Sequence, residues 1–279
     1  MTPGSVTSQG EILAPGTVAL WCARPAQLDD PAIVDHYTDL MSDEERERGA
    51  RMLLEGARQL HLLARALQRL ALASYLPGVA PRELRFVRSG AGRPSLAAPF
   101  DAGGLDFNLA HSRGLVVLAV ARGLEFGIDV ERYDKNVPLA AARRYFSRDE
   151  VAALEALPRD AQPRRFLRLW TLKEAYLKAI GSGITGGLGS MTFRLDNRGV
   201  SFERAADPDA SRWWFGQFSA GAEHLLAIAC RSRACPAQVT PTLECLELLA
   251  GRAQSPTFSI TADDQHAGGP SGQEQRSQS

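Results

Sequence analysis

The sequence predicts an α+β protein, and three observations carry that prediction. Short stretches of β-branched or alternating apolar residues recur along the chain, and long segments repeat their apolar residues at helical spacing. The order is strand, helices, hairpin, strand, then helix and more strands, with no sequence repeat behind it. That order suits two similar halves packed together.

Residues 17–22 (TVALWC) are β-branched and apolar and read as the opening strand. Ser42-Asp43-Glu44-Glu45 has the spacing of a capping box: the serine oxygen accepts from the third helical N–H and the glutamate reaches back, so a helix should start at Asp43. The helical pattern continues to Tyr75, too long for one ordinary helix, which predicts two helices broken near Gly56 and ended by Leu76-Pro77-Gly78. Residues 105–109 alternate and 115–120 are continuously apolar, with His111-Ser112-Arg113-Gly114 between them, the pattern of a hairpin. Residues 126–131 (FGIDVE) alternate again, which turns Phe126, Ile128 and Val130 to the core and puts Asp129 and Glu131 on the other face. Pro163 suits a helix's first turn and Gly181 its exit, with a broad apolar stripe over 166–180 between them. Residues 190–195, 213–218 and 225–229 read as three further strands.

The 279 residues include 32 Lys+Arg against 32 Asp+Glu, a balance that excludes a nonspecific nucleic-acid binder and requires any anionic partner to be met by a local cluster. Cys22, Cys230, Cys235 and Cys245 form no C-x-x-C pair and no His falls at ligand spacing beside them, so neither a zinc site nor a disulfide framework is indicated. Residues 1–15 lack the basic start and apolar run of a signal peptide and read as a disordered lead. The longest apolar stretch, 60–76, is broken by His61, Arg65, Gln68 and Arg69 and is too polar to cross a bilayer, which predicts a soluble cytoplasmic protein. Residues 254–279, rich in Gln, Ser, Gly and Asp, read as a disordered tail outside the fold.

Several residues could carry chemistry. Asp129 and Glu131, two apart on a strand, have Cα atoms about 6.6 Å apart on one face. Both could reach one hard cation such as Mg²⁺, though the spacing alone fits an ordinary acidic strand face better. On the helix over 166–180, Lys173 falls near the middle of the apolar arc, where a cation is costly unless paired. Glu174 and Lys178 lie at the arc's edge, either facing a cleft or forming a surface ion pair of little consequence. His111 either meets an anion or caps its hairpin. Gly92-Arg93-Pro94 is turn chemistry with one cation, and Arg46, Arg48 and Arg51 fit a solvated helix face.

Taken in order, Gly92-Arg93-Pro94, F-N-L-A-H-S at 107–112, G-I-D-V-E at 127–131 and W-T-L-K-E-A-Y-L-K-A at 170–179 resemble the motifs of the 4'-phosphopantetheinyl transferase superfamily, in its Sfp-type branch. The resemblance implies two α/β halves, here 16–125 and 126–253, about a pseudo-twofold axis with coenzyme A between them. It implies transfer of 4'-phosphopantetheine from coenzyme A to a serine of an apo acyl or peptidyl carrier protein, serving polyketide, nonribosomal peptide or other carriers, by a monomer that needs neither nucleic acid nor membrane. It makes Asp129, Glu131 and Glu174 the Mg²⁺ site, with Glu174 also the general base. Lys173 and Lys178 match lysines near the phosphates, His111 and Arg93 match positions at the nucleotide 3'-phosphate, and Arg48 and Arg51 fall in a helix that adds cations there. Ala110 stands where a serine is common, which implies altered coenzyme A affinity. Met52 and Ala57 also depart, standing where Phe and an acid are frequent. The competing reading is a noncatalytic coenzyme A or carrier-binding module.

Overall fold

The structure, a computed structural model, describes residues 13–88, 93–101, 103–183, 187–196, 199–204, 206–235, 238–257 and 260–263. Strand β1 (Thr17–Ala23) is buried along its whole length, which explains its unbroken apolar run. Helix α1 (Pro31–Leu40) follows, its Asp30 side chain accepting from Ala32 N at 2.9 Å and Pro31 occupying the first turn. Helix α2 (Asp43–Ala50) starts where the capping box places it, with both reciprocal Ser42–Glu45 bonds formed. The break before α3 (Glu55–Ser74) lies at 51–54, just ahead of Gly56, which sits in the first turn of α3.

A short hairpin, β2 (Phe86–Arg88) and β3 (Pro94–Leu96), precedes the hairpin β4 (Leu105–Ser112) and β5 (Leu115–Arg122), which turns at Arg113-Gly114. His111 therefore lies inside β4, paired with Val116, and not in the turn. Strand β6 (Leu124–Arg132) leads through α4 (Ala142–Tyr145) and α5 (Arg148–Glu155) to α6 (Gln162–Ile180), which Gly181 closes in the left-handed conformation. Then come β7 (Met191–Asp196), β8 (Gly199–Arg204), β9 (Trp214–Ala220), β10 (His224–Ser232), β11 (Thr242–Leu249), β12 (Arg252–Gln254) and β13 (Ile260–Ala262).

Two large sheets result, ordered β12-β11-β1-β5-β4 and β13-β9-β10-β6, beside the two-stranded hairpins β2-β3 and β7-β8. Each contains the same local sequence of parts: a strand, a long helix, a two-stranded hairpin, then two strands of which the last lies beside the first. An apolar layer that includes Leu20, Val117, Phe126 and Ile228 lies between the sheets. Helix α3 covers the far side of the first sheet and α6 the far side of the second, each with its own core. Where the edges of β4 and β6 approach, Asn108 Oδ1 accepts from Ile128 N at 3.0 Å, so one side chain joins the two sheets.

Three expectations about the ends of the chain are corrected. Leu13, read as part of a disordered lead, is buried in the first core. Strands β11 and β12, which by sequence fall largely in the second half, extend the first sheet, and β11 runs parallel to β1 from Thr17↔Thr242 to Cys22↔Glu247. The tail from 254 is not wholly outside the fold: β13 pairs with β9, and Asp263, 1% exposed at its side chain, meets Arg164 at 2.6 Å and Arg168 at 3.5 Å. Low apolar content hid this segment, because backbone pairing and a charge pair hold it. Residues 1–12 and 264–279 lie outside the described residues, as does Gly92.

Gly127 sets the distance between β6 and α6. A Cβ there would lie 2.2 Å from Ala175 O and 2.4 Å from Ala179 N, both backbone atoms that cannot swing aside. Gly127→Ala is thus expected to push α6 off the strand, at a cost of roughly 1–3 kcal/mol or more, the range for overpacked cores. Thermal unfolding checks this, and an unchanged midpoint would show that the helix shifts freely.

Candidate functional site

The close seating of α6 on β6 brings two motifs together. Asp129 and Glu131 project from one face of β6, and Glu174 and Lys178, one turn apart, project from α6 toward them. Lys178 Nζ donates to Asp129 Oδ1 at 2.7 Å, and Lys135 donates to Glu131 Oε1. Asp129 Oδ2 and Glu174 Oε1 are buried with no hydrogen-bond partner. Burial pushes both carboxyls above the usual carboxylate range, and the negative neighbours push further: Glu131 acts on Asp129, and Asp129 on Glu174, while Lys178 opposes both shifts. Among the described residues, no cluster of three or more His, Cys, Asp or Glu side chains is arranged to hold a metal ion as it stands. The three acids share one place, with lysines on one oxygen each of Asp129 and Glu131.

Beside them lies a cavity of about 590 Å³ between α2, α3, the β2–β3 hairpin and β4. Its wall includes five arginines, Arg48, Arg65, Arg69, Arg85 and Arg88, against two acids, Glu44 and Glu45. This is the local cluster of cations that a neutral protein needs in order to hold an anion. Two of the charges are already committed, since Glu45 Oε2 accepts from Arg69 Nη2 at 2.8 Å. Arg65 stands farther from Glu45, its Nη1 3.9 Å from Oε1, and its Nε is buried without an acceptor. His111 joins the cavity to the acids: burial depresses its pKa, Lys178 and Arg65 depress it further, and Asp129 opposes them.

Not every expected residue reaches this place. Arg48 lines the cavity, but Arg51 caps the end of α2 and pairs with Glu47 at 2.9 Å on the open surface. Lys173 is corrected outright. It is wholly buried on another side of α6, and its three N–H bonds go to Glu150 Oε2 (2.8 Å), Leu188 O (2.7 Å) and Met191 O (2.8 Å). A buried cation does need an anion, and here the anion is a protein carboxylate. Arg93 spends its guanidinium on Asp106, Phe107 O and the last carbonyls of α6. Ala110 packs in the layer between the sheets, whereas its neighbours Leu109 and His111 line the cavity, so a serine hydroxyl at 110 would not face the cavity. Met52 and Ala57 do line it.

Sequence reading missed Arg65, Arg85, Arg88, His61 and Glu150. His61 and Arg65 show in the sequence only as polar breaks in the apolar stretch over 60–76, Arg85 and Arg88 lie just before and within β2, and only packing brings the four to one cavity. Glu150 was legible, because Ser147-Arg148-Asp149-Glu150 repeats the capping-box spacing of Ser42–Glu45, and both of its bonds form.

Comparison with known proteins bears on this arrangement. A profile of the 4'-phosphopantetheinyl transferase superfamily matches residues 125–229, the span that holds the acids, α6 and Lys178. The 4'-phosphopantetheinyl transferase HetI of Nostoc sp. is 37% identical over 145 residues, 52% of this chain and 61% of that protein, so the match spans less than two thirds of its length. A phosphopantetheinyl transferase of Thraustochytrium sp. is 30% identical over 73% of this chain and 74% of its own. The 4'-phosphopantetheinyl transferase Sfp of Bacillus subtilis is 31% identical over 61% of this chain and 73% of its own.

Proposed function

Since the chain belongs to the 4'-phosphopantetheinyl transferase family, we propose that it transfers 4'-phosphopantetheine from coenzyme A to a serine of an apo acyl or peptidyl carrier protein. The observation that carries this reading is the adjacency of two buried, partnerless carboxylate oxygens, on Asp129 and Glu174, to a cavity walled by arginines. A diphosphate with a nucleotide 3'-phosphate needs both kinds of environment, an anion pocket at one end and a place for a counter-ion at the other. In the transfer, the serine oxygen forms a bond to the β-phosphorus of coenzyme A and the bond from that phosphorus to the bridging oxygen breaks, releasing adenosine 3',5'-bisphosphate.

Glu174 accepts the serine proton, directly or through a water, and its raised pKa suits a base that must hold a proton. Lys178 supplies fixed positive charge beside the diphosphate, as electrostatic stabilisation does in other phosphoryl transfers. Arg48, Arg65 and His111 take the 3'-phosphate end. The orphaned oxygens of Asp129 and Glu174 fit Mg²⁺, which takes one or two protein carboxylates and leaves room for water and phosphate oxygens, and Glu131 would stand beside the ion as a further negative charge. Bound there, Mg²⁺ would neutralise charge on the diphosphate oxygens.

The matched order of parts in the two sheets supports a pseudo-twofold relation between the halves. One chain then completes the cleft, so the working unit is a monomer. Among the described residues no helix is long and apolar enough to cross a membrane, in keeping with work on cytoplasmic carriers. The test is the intact mass of apo carrier proteins incubated with this protein, coenzyme A and Mg²⁺, with an EDTA control. A metal-dependent gain of one phosphopantetheinyl group is the expected result; no gain across several carrier types would sink the reading.

A further inference from the structure

We infer that Arg93 is a positioning residue that ties the wall of the arginine-lined cavity to the end of α6, and that it does not bind the nucleotide. The inference rests on the proposed transferase reaction for its kinetic consequence and on the geometry alone for its structural one.

The last carbonyls of a helix have no partner within the helix and attract cations. Arg93 Nη1 donates to two of them, Lys178 O at 3.2 Å and Ala179 O at 2.9 Å. Its Nη2 donates to Asp106 Oδ2 at 3.1 Å and Phe107 O at 3.2 Å, at the start of β4. The four hydrogens of the two terminal nitrogens thus have four acceptors, and the guanidinium carbon lies 5.8 Å from the centre of the Phe126 ring. A phosphate on either terminal nitrogen of Arg93 would have to displace a backbone carbonyl or a carboxylate.

Position gives these bonds their consequence. Arg93 directly precedes β3, and Arg88 and Pro94 of the β2–β3 hairpin line the cavity. Lys178 is held twice, through its carbonyl by Arg93 and through its ammonium by Asp129. Asp106 anchors the far end and also accepts from Arg233 Nη2 at 3.2 Å, which follows β10. The guanidinium fork is therefore the link by which the hairpin sets where the last turn of α6, and so Lys178, stands over Asp129.

The test compares the parent with Arg93→Lys, Arg93→Ala and Asp106→Asn. Lysine keeps the charge and remains a competent phosphate ligand, but it cannot span both sets of acceptors. For Arg93→Lys the expected result is a kcat lower by roughly 10–100-fold, the scale of a misplaced reacting group, with the Kd for adenosine 3',5'-bisphosphate by calorimetry within about threefold of the parent. Asp106→Asn, remote from the nucleotide, should lower kcat in the same direction, and the double variant should lose less than the sum of the two. In hydrogen exchange, the last turn of α6 should lose protection in all three. The inference is overturned if Arg93→Ala weakens the bisphosphate Kd by about tenfold or more, the loss expected for a charged hydrogen bond, while exchange in α6 is unchanged. If the parent neither binds the bisphosphate nor modifies a carrier, the proposed reaction fails, and the exchange measurement still decides what Arg93 holds.

Discussion

Replacing Glu174 with Gln is expected to lower kcat by about 10²–10⁴-fold, the usual contribution of a positioned acid or base, and to leave the fold at least as stable as the parent. The second half of that expectation follows from the sign of the pKa shift. Burial, and then Asp129, raise the Glu174 carboxyl above its ordinary value. A carboxyl raised in the folded state binds its proton more tightly there than in the unfolded chain. Its stabilising contribution is complete below the unfolded pKa and is lost as pH rises through the folded one. At neutral pH in EDTA, above the unfolded pKa, the Glu174 carboxyl therefore contributes less to stability than at low pH, and a neutral amide of the same shape removes that loss. Thermal unfolding of the metal-free proteins and turnover on an apo carrier check the two halves separately. Turnover near that of the parent would end the role of Glu174 as proton acceptor. A fall of several degrees in the midpoint would instead make the loss of activity a folding effect.

Lys173→Met is expected to act in the opposite way, through stability. The Lys173–Glu150 pair is sealed from solvent, and Glu150 also accepts from Ser147 N and Phe193 N at 2.7 and 2.8 Å, so it fastens the start of α5 and strand β7 to α6. Burial pushes the Lys173 pKa down, and Glu150 pulls it back toward the charged form. Removing one member leaves a buried charge without its partner, at a cost of about 3–5 kcal/mol, or roughly 6–20 °C in the unfolding midpoint for a chain of this size. Replacing both, as Lys173→Met with Glu150→Leu, should recover much of that loss, because an apolar pair of similar volume often substitutes for a buried ion pair. Were Lys173 a phosphate ligand, the single variant would unfold at the parent's temperature and lose only affinity for coenzyme A.

These two neighbours show how far a sequence can be read. The alternation over 126–131 and the helical stripe over 166–180 each assign faces, and the faces are right: Phe126, Ile128 and Val130 enter the layer between the sheets, and Glu174 and Lys178 face Asp129. The same helical arithmetic marks Lys173 as a buried cation in need of an anion. It does not supply the anion, because Glu150 comes from another helix, brought near by packing. The family motifs then suggest a phosphate for it, and the structure gives a carboxylate.

Local chemistry determined the parts of this protein. Capping at Ser42, the left-handed exit at Gly181, the hairpin about Arg113-Gly114 and the acids of β6 and α6 all follow from rules that act within one or two turns of chain. Tertiary structure decided what those parts meet. It placed five arginines around one cavity, ran β11 parallel to β1, seated Asp263 between Arg164 and Arg168, and spent Arg93 on the end of α6. The reason is physical. Periodicity and capping depend on backbone geometry that repeats every few residues, whereas a buried charge finds its partner through the packing of distant elements, and the close contact of Gly127 with Ala175 and Ala179 sets that packing where the acids meet.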